Sequence, residues 1–285
     1  MHPRRFGTGK NIRMPSRILA LFLGLIAAAM LFLGFRGEQQ FAPYAVPPGV
    51  LLAIVLTFGD QINWWWYSRF PPDIDEGGRR FLERFYRPYL RLGDEARKIF
   101  RRKVALFQMV LDFREQGMEQ RLPEDFRLIV AVSAVILTYR EHDYLLPKFP
   151  VIVVYRGPFP SPQYPELFHA SELYEEDGVL LFSAQHLMKG FTEPQKYYDV
   201  ALHEWARAFI LSYPGRCWPD PGEETWGLLE RVSGFSKAAL KSYVNRPDLE
   251  LLPAAVVHYI HFPEKFGEYL PELSAGIAKC LGTVG

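Results

Sequence analysis

A short stretch of the chain, HEWAR at residues 203–207, places ionisable side chains at the spacing of a zinc-binding helix. In the motif HExxH, two histidines four residues apart hold one zinc ion, and the glutamate polarises the attacking water. His203 and Glu204 occupy the first two positions, but Arg207 stands where the second histidine belongs. A guanidinium is permanently charged and offers no lone pair to a metal, so the usual site cannot form.

The helix predicted for residues 199–213 is otherwise almost wholly apolar. Ionisable groups on a buried helix need partners. Arg207 follows Glu204 by three residues, which predicts a contact between their side chains, and its guanidinium can engage a second carboxylate as well. The candidate partners are Glu223, Glu224 and Glu250.

The chain beyond residue 69 has the pattern of a globular domain, 69–285, of α+β class that is mostly helical with a small sheet. Residues 81–113 repeat apolar positions at helical spacing, with charged residues between them. Residues 121–139 are apolar nearly all round and predict a buried helix. Two short β-branched runs, at 149–155 and 178–183, predict strands, and an EEDG turn precedes the second.

The N-terminal part predicts a membrane anchor at residues 17–68. Residues 18–35 are an uninterrupted apolar run that would rise about 27 Å as a helix, close to the thickness of a bilayer core. We predict a transmembrane helix at about 17–36, preceded by a basic tail at 1–16. Cleavage of this run as a signal peptide is the alternative.

A second apolar segment, at about 46–67, ends in a cluster of Trp and Tyr typical of the membrane interface. It predicts the second helix of a transmembrane hairpin. Asp60 and Asn63 are unfavourable in lipid, which leaves an interfacial helix as the alternative. Arg and Lys flank the hairpin on one side, which predicts a multi-pass protein of the inner (cytoplasmic) membrane with a cytoplasmic domain.

Composition narrows the possible partners. The formal charge of +1 argues against broad nucleic-acid binding. Two cysteines, Cys217 and Cys280, give neither a disulfide framework nor a CxxC metal site.

Several motifs, taken in order, resemble the Mlc titration factor A family of zinc-dependent peptidases over roughly residues 81–281. VIVVYRGPF corresponds to the family's VIVYPxxF, EEDGVLLFS to its strand of the type acidic-Gly-VLLS, HEWAR to its HEFAH, and VVHYIHFPEKF to its late helix SExFFExPExL. The resemblance implies a zincin-like metallopeptidase fold.

Transferred residue by residue, the resemblance makes His203 a first zinc ligand and Glu204 the catalytic general base. Arg207 replaces the second ligand, and Val257 stands where the third ligand, a glutamate, is expected. With two ligands lost from separate helices, Glu204 becomes a vestigial base, and we expect no cofactor.

Zinc held by His203 with His258 and His261 is the alternative, since the last two are three residues apart on a helix that the resemblance places nearby. The remaining histidines show no ligand spacing and receive no role: His2, His142, His169 and His186.

These observations predict a membrane-anchored, catalytically degenerate protein that acts as a scaffold or regulatory subunit among other integral membrane proteins. An active membrane-bound metallopeptidase with an unusual ligand set is the alternative. A third hypothesis follows the family's association with a glucose-responsive transcriptional repressor, which no residue here supports.

Overall fold

A computed structural model describes residues 15–36, 39–117 and 122–282. Positions 1–14 of the predicted basic tail, 1–16, lie outside the described residues. The chain divides into two compact units, Met1–Pro72 and Asp73–Gly285. Both are mainly helical, and the second contains a small mixed sheet. The predicted class, mostly helical with a small sheet, is confirmed at that level.

The first unit begins with the long apolar helix α1 (Pro15–Phe35). A 3₁₀ segment (Gln39–Ala45) and the helices α2 (Val46–Thr57) and α3 (Gly59–Arg69) follow it. Among the described residues, α1 is the one helix that is by itself long and apolar enough to cross a membrane, with a mean hydropathy of 2.7.

The second predicted membrane helix is not continuous, which corrects the expectation of one helix at 46–67. The chain bends by 74° between α2 and α3. At the break, Asn63 Oδ1 accepts a hydrogen bond from the backbone N–H of Ser16 at 3.0 Å, and Gly59 packs against the same serine. In the bent arrangement the polar Asn63 side chain has a hydrogen-bond partner at the start of α1. In a straight helix surrounded by lipid it would have none.

The sheet of the second unit has the strand order β1-β2-β4-β3. Its strands are β1 (Asp112–Gln116), β2 (Val151–Tyr155), β3 (Ser171–Tyr174) and β4 (Val179–Ser183). β1 and β4 flank β2 in parallel, and β3 is an antiparallel edge strand on β4. The two predicted strands, β2 and β4, are confirmed.

β1 and β3 were missed by the sequence analysis. The sequence of β1, DFREQ, directly follows an amphipathic helix, and its apolar and charged residues do not alternate regularly. β3 has only four residues and includes a glutamate. The predicted EEDG turn joins β3 to β4, where Gly178 adopts φ 64° and a Cβ would run into the carbonyl oxygen of Lys148.

The helices of the second unit, in chain order, are α4 (Glu76–Phe85), α5 (Arg87–Leu90), α6 (Asp94–Val110), α7 (Glu124–Thr138), α8 (Ala184–Thr192), α9 (Val200–Ser212), α10 (Thr225–Ser233), α11 (Lys237–Val244), α12 (Leu251–His261), α13 (Pro263–Tyr269) and α14 (Pro271–Leu281).

The core forms around α7 and α9. α7 is buried on nearly every side, as its sequence predicted, and its Ser133 and Thr138 hydroxyls donate to carbonyls of the preceding turn. α9 packs against α7, α12 and the edge strand β3. The helix that carries the HEWAR residues therefore packs between a largely buried helix and the edge strand of the sheet.

Candidate functional site

α9 holds the HEWAR side chains in a fixed orientation. Asp199 caps its N-terminus by accepting from the backbone N–H of Leu202 at 3.0 Å, and the helix ends at Ser212, just before Pro214. His203 and Glu204 are buried, with exposed fractions of 1% and 0%. These two groups are thus out of contact with bulk water.

Three donors surround the carboxylate of Glu204. Its Oε1 accepts from Ser171 Oγ at 2.8 Å and from Arg246 Nη1 at 2.9 Å. Its Oε2 accepts from Arg207 Nη1 at 3.1 Å. A buried carboxylate is tolerated only when paired in this way, so the two guanidiniums stabilise Glu204 in its ionised form.

Arg207 makes the contacts that its position predicted. Besides Glu204, its Nε donates to Glu250 Oε1 at 2.9 Å. Of the other two candidate partners, Glu223 pairs with Lys237, and Glu224 precedes α10. The predicted contact with Glu204 and one of the three candidate partners, Glu250, are confirmed. That Arg207 replaces a former zinc ligand stays a prediction.

Arg246 was missed by the sequence analysis, although its side chain is only 1% exposed. It donates to Glu204, to the backbone carbonyl of Ser171 at 3.0 Å and to Asp248 at 3.0 Å. The turn that carries it is fixed by Asn245, which ends α11 in a left-handed conformation. The sequence Asn-Arg-Pro signals that turn, but no spacing relates it to α9.

The charges around Glu204 decide its protonation. Burial raises the pKa of this carboxyl, but the positive charges of Arg246 and Arg207 outweigh burial and lower the pKa to about 2. The pKa values of both guanidiniums are raised, because the favourable charge of Glu204 outweighs their burial. Glu204 is therefore a permanent anion with little tendency to take up a proton.

His203 faces away from these ion pairs. Its Nδ1 lies 2.8 Å from the hydroxyl of Tyr198, and its buried Nε2 has no hydrogen-bond partner among the described residues. Burial lowers its pKa to about 3, with the nearby arginines acting in the same direction and Glu204 opposing them. The imidazole is therefore neutral at physiological pH.

The structure does not bring His203, His258 and His261 together as ligands of one metal. Across residues 15–36, 39–117 and 122–282, no group of three or more His, Cys, Asp or Glu side chains is arranged to hold a metal ion. His258 Nδ1 donates to the carbonyl of Ala254 at 2.7 Å, and its Nε2 lies 2.9 Å from Ser233 Oγ.

Each of the late histidines is engaged locally. Burial lowers the pKa of His258 to about 4. His261 Nε2 lies 2.9 Å from Asp199 Oδ2, so it is tied to the cap of α9 rather than to His203. Val257, at the position of the expected third ligand, is buried with an exposed fraction of 2%. The two rings, three residues apart on α12, therefore have different partners: Ala254 and Ser233 for His258, and Asp199 for His261.

A cleft of about 550 Å³ lies beside Arg207 and Arg246. The edge strand β3 and the turn after it form part of its wall, and so do Lys148 and Asp248. Glu172 also lines it and is 1% exposed; its Oε2 lies 3.0 Å from His169 Nε2, and its Oε1 has no hydrogen-bond partner among the described residues.

The free edge of β3 faces away from β4. Because Ser183 N–H donates to the Ala170 carbonyl, the alternation of an antiparallel ladder turns the backbone groups of Ser171 and Leu173 outward. The Ser171 carbonyl already accepts a hydrogen bond from Arg246. The backbone groups of Leu173 therefore point away from β4, and the residue is only 4% exposed.

The other histidines and the cysteines add no further chemistry. His169 is buried against Glu172, and His186 Nδ1 lies 2.9 Å from Ser183 Oγ. Cys217 is exposed and Cys280 is buried, and both are free thiols.

The site thus combines a neutral histidine, a buried carboxylate and the two guanidiniums that pair with it, next to the edge strand β3. Comparisons of the chain with known protein families, with curated proteins and with solved structures find no match.

Proposed function

We propose that this chain is a membrane-anchored protein whose second unit descends from a zinc-peptidase-like fold and now binds a partner. It acts as a scaffold or regulatory subunit of a complex of integral membrane proteins. The observation that carries the proposal is the sealing of Glu204 by two guanidiniums and the Ser171 hydroxyl. The motif order that resembles the Mlc titration factor A family supports the zincin-like ancestry.

Glu204 is poorly suited to act as a general base. A base working near neutral pH needs a pKa close to that pH and must reach the water that it activates. Glu204 has a pKa of about 2 and no exposed surface. Arg207 would also keep a second cation out of its position by charge repulsion.

The cleft supports binding as the remaining activity. The backbone groups of Leu173 point away from β4 at the wall of the cleft. Leu173 is 4% exposed, so an extended segment of a partner would have to displace the groups that now cover this edge before it could add to the sheet as a further strand. Glu172, Glu175 and Glu176 line the same cleft, and Lys148 is already paired with Glu175. A segment with basic side chains is therefore the best complement to this wall.

The first unit supports anchoring in a membrane. α1 has 21 residues and is about 31 Å long, which matches a bilayer core. The 3₁₀ segment and α2 together rise about 32 Å, so they form a return path of similar length. The hairpin then consists of α1 and residues 39–57, and α3 lies along the interface. Basic flanks favour the cytoplasmic side of the inner membrane for the second unit.

The alternative, an active metallopeptidase, has one observation in its favour: His203 Nε2 is buried without a partner in the described residues and could bind a ligand. Zinc analysis of the purified full chain separates the two proposals. We expect far less than one zinc per chain and no change in His203→Ala. Stoichiometric zinc that disappears in His203→Ala would overturn the binding proposal.

A crosslinking experiment tests the partner site. A photoreactive residue replaces Glu176, which is exposed at the cleft, and a matched variant carries it at the exposed Glu268 of α13. In intact membranes we expect a discrete adduct from the first position, abolished by Glu172→Arg, and none from the second. Equal labelling at both positions, or none at Glu176, would contradict a partner in the cleft.

A further inference from the structure

A cavity of about 390 Å³ opens at the end of the first unit where α1 begins and α2 gives way to α3. Its wall is partly polar, with Arg17, Thr57 and Asp60, and partly apolar, with Leu21, Val55 and Leu56. The volume exceeds the roughly 30 Å³ of one water molecule more than tenfold. This is space for an organic headgroup rather than for a single ion.

The cavity is a built feature, because its floor is fixed by a contact between distant residues. Asn63 Oδ1 accepts from the Ser16 N–H, and both side chains are nearly inaccessible, at 2% and 6% exposure. Gly59 approaches so closely that a Cβ would lie 3.4 Å from Ser16 Oγ. These contacts join the start of α1 to α3 just after the 74° bend, and Ser16, Gly59 and Asn63 all line the cavity.

Arg17 and Asp60 give the cavity one charge of each sign. Both side chains are exposed, and within the described part of the chain neither forms an ion pair. The first turn of α1 adds the partial positive charge of a helix N-terminus next to Arg17. The arrangement suits a ligand that is itself a zwitterion, with an anionic group for Arg17 and a cationic group for Asp60.

The position of the cavity selects the ligand. If α1 spans the bilayer, as proposed above, its first turn lies at the level of the lipid headgroups. At the same end, α3 exposes Trp65 and Trp66, by 64% and 42%, as is typical of an interfacial helix. The apolar wall at Leu21, Val55 and Leu56 would then continue into the acyl-chain region.

We propose that this cavity binds the headgroup of a zwitterionic membrane phospholipid that carries a primary ammonium. The phosphodiester lies at Arg17, and the ammonium donates to Asp60. A quaternary ammonium has no N–H to donate, and a headgroup without an amine brings no positive charge to Asp60. The inference rests on the proposed membrane anchoring of the first unit.

The test uses the full chain, purified in detergent and exchanged against equimolar phosphatidylethanolamine, phosphatidylglycerol and phosphatidylcholine, with retained lipid counted by mass spectrometry. We expect phosphatidylethanolamine to exceed phosphatidylcholine about fivefold, the ratio that one exposed ion pair can supply. Asp60→Asn should abolish that ratio, and Arg17→Gln should reduce retention of all three lipids. Arg36→Gln, at the other end of α1 and outside the cavity, is the matched control and should bind like the parent chain.

Equal retention of the three lipids by the parent chain, or an unchanged ratio in Asp60→Asn, would overturn the headgroup site. Soluble glycerophosphoethanolamine serves as a second arm: displacement of the lipid by this compound at similar concentration would show a site for a free phosphodiester instead. Carbonate extraction of native membranes checks the anchoring separately. A chain released by carbonate refutes the anchor itself, whereas a retained chain without lipid preference refutes only the cavity proposal.

Discussion

Two buried carboxylates on neighbouring elements are held in opposite ways. Glu204 on α9 meets two full positive charges, those of Arg207 and Arg246. Each of these guanidiniums also pairs with a second carboxylate, Glu250 for Arg207 and Asp248 for Arg246. Glu172 on β3 meets only His169, whose Nδ1 donates to the carbonyl of Leu167.

The carboxylate of Glu204 is thus held by two guanidiniums, whereas Glu172 has one histidine partner, and its Oε1 is buried at the wall of the cleft without a hydrogen-bond partner among the described residues. Under the proposed function, the Glu204 network would supply rigidity, and the cleft at β3 would supply the binding site.

Arg246→Met should produce the largest effect, because it leaves Glu204 with a single cation and the Ser171 carbonyl without its donor. We expect a loss of about 3–5 kcal/mol in the free energy of unfolding, measured with urea on the full chain in detergent. Adding Glu204→Gln should recover part of that loss. Arg114→Met, which breaks an exposed pair with Asp112, should leave the free energy of unfolding nearly unchanged. Similar losses for Arg246→Met and Arg114→Met would show that the network does not stabilise the fold.

Arg207→His restores the letters of HExxH and should still destabilise the chain, by about 2 kcal/mol. The effect is smaller than for Arg246 because Arg207 is 15% exposed and Arg246 still pairs with Glu204. No zinc should be gained, since Val257 supplies no third ligand. The urea midpoint and the zinc content are measured together, and a stable variant that binds one zinc would contradict this prediction.

Acidification should weaken the second unit through its neutral histidines. Burial lowers the pKa of His203 to about 3 and that of His258 to about 4, whereas the unfolded chain takes up these protons near pH 6.5. Stability is therefore complete above pH 6.5 and falls toward pH 4, by about 1.4 kcal/mol per pH unit for each histidine.

Glu204, with its lowered pKa, loses its contribution only as the pH falls from about 4.5 to about 2. Urea midpoints between pH 7 and pH 5 measure the slope. His258→Gln should flatten it, and a slope that is the same in the variant would argue against a buried neutral His258.

Glu172→Gln should have the smallest effect on stability, under about 1 kcal/mol, because an amide can replace the one hydrogen bond that Glu172 makes with His169. The same substitution at Glu204 leaves two arginines with less compensation and should cost more. Comparing the two variants by urea unfolding tests the contrast directly. A larger loss at Glu172 would reverse the interpretation of the two carboxylates.

The sequence by itself determined features whose physics is local. An unbroken apolar run of bilayer length made α1 predictable, and the apolar sequence of α7 showed that the helix is buried. The i,i+3 spacing on α9 predicted the contact between Arg207 and Glu204, because residues three apart on a helix are neighbours regardless of the rest of the fold.

Only the tertiary structure decided the features that join distant parts of the chain. Arg246 reaches Glu204 from 42 positions away, and Ser171 does so from 33, so no periodicity could pair them. The break at Phe58 depends on a contact between Ser16 and Asn63, 47 positions apart. His258 and His261 share a helix, but their ring nitrogens bind whatever the neighbouring elements present, and that choice is made by packing rather than by spacing.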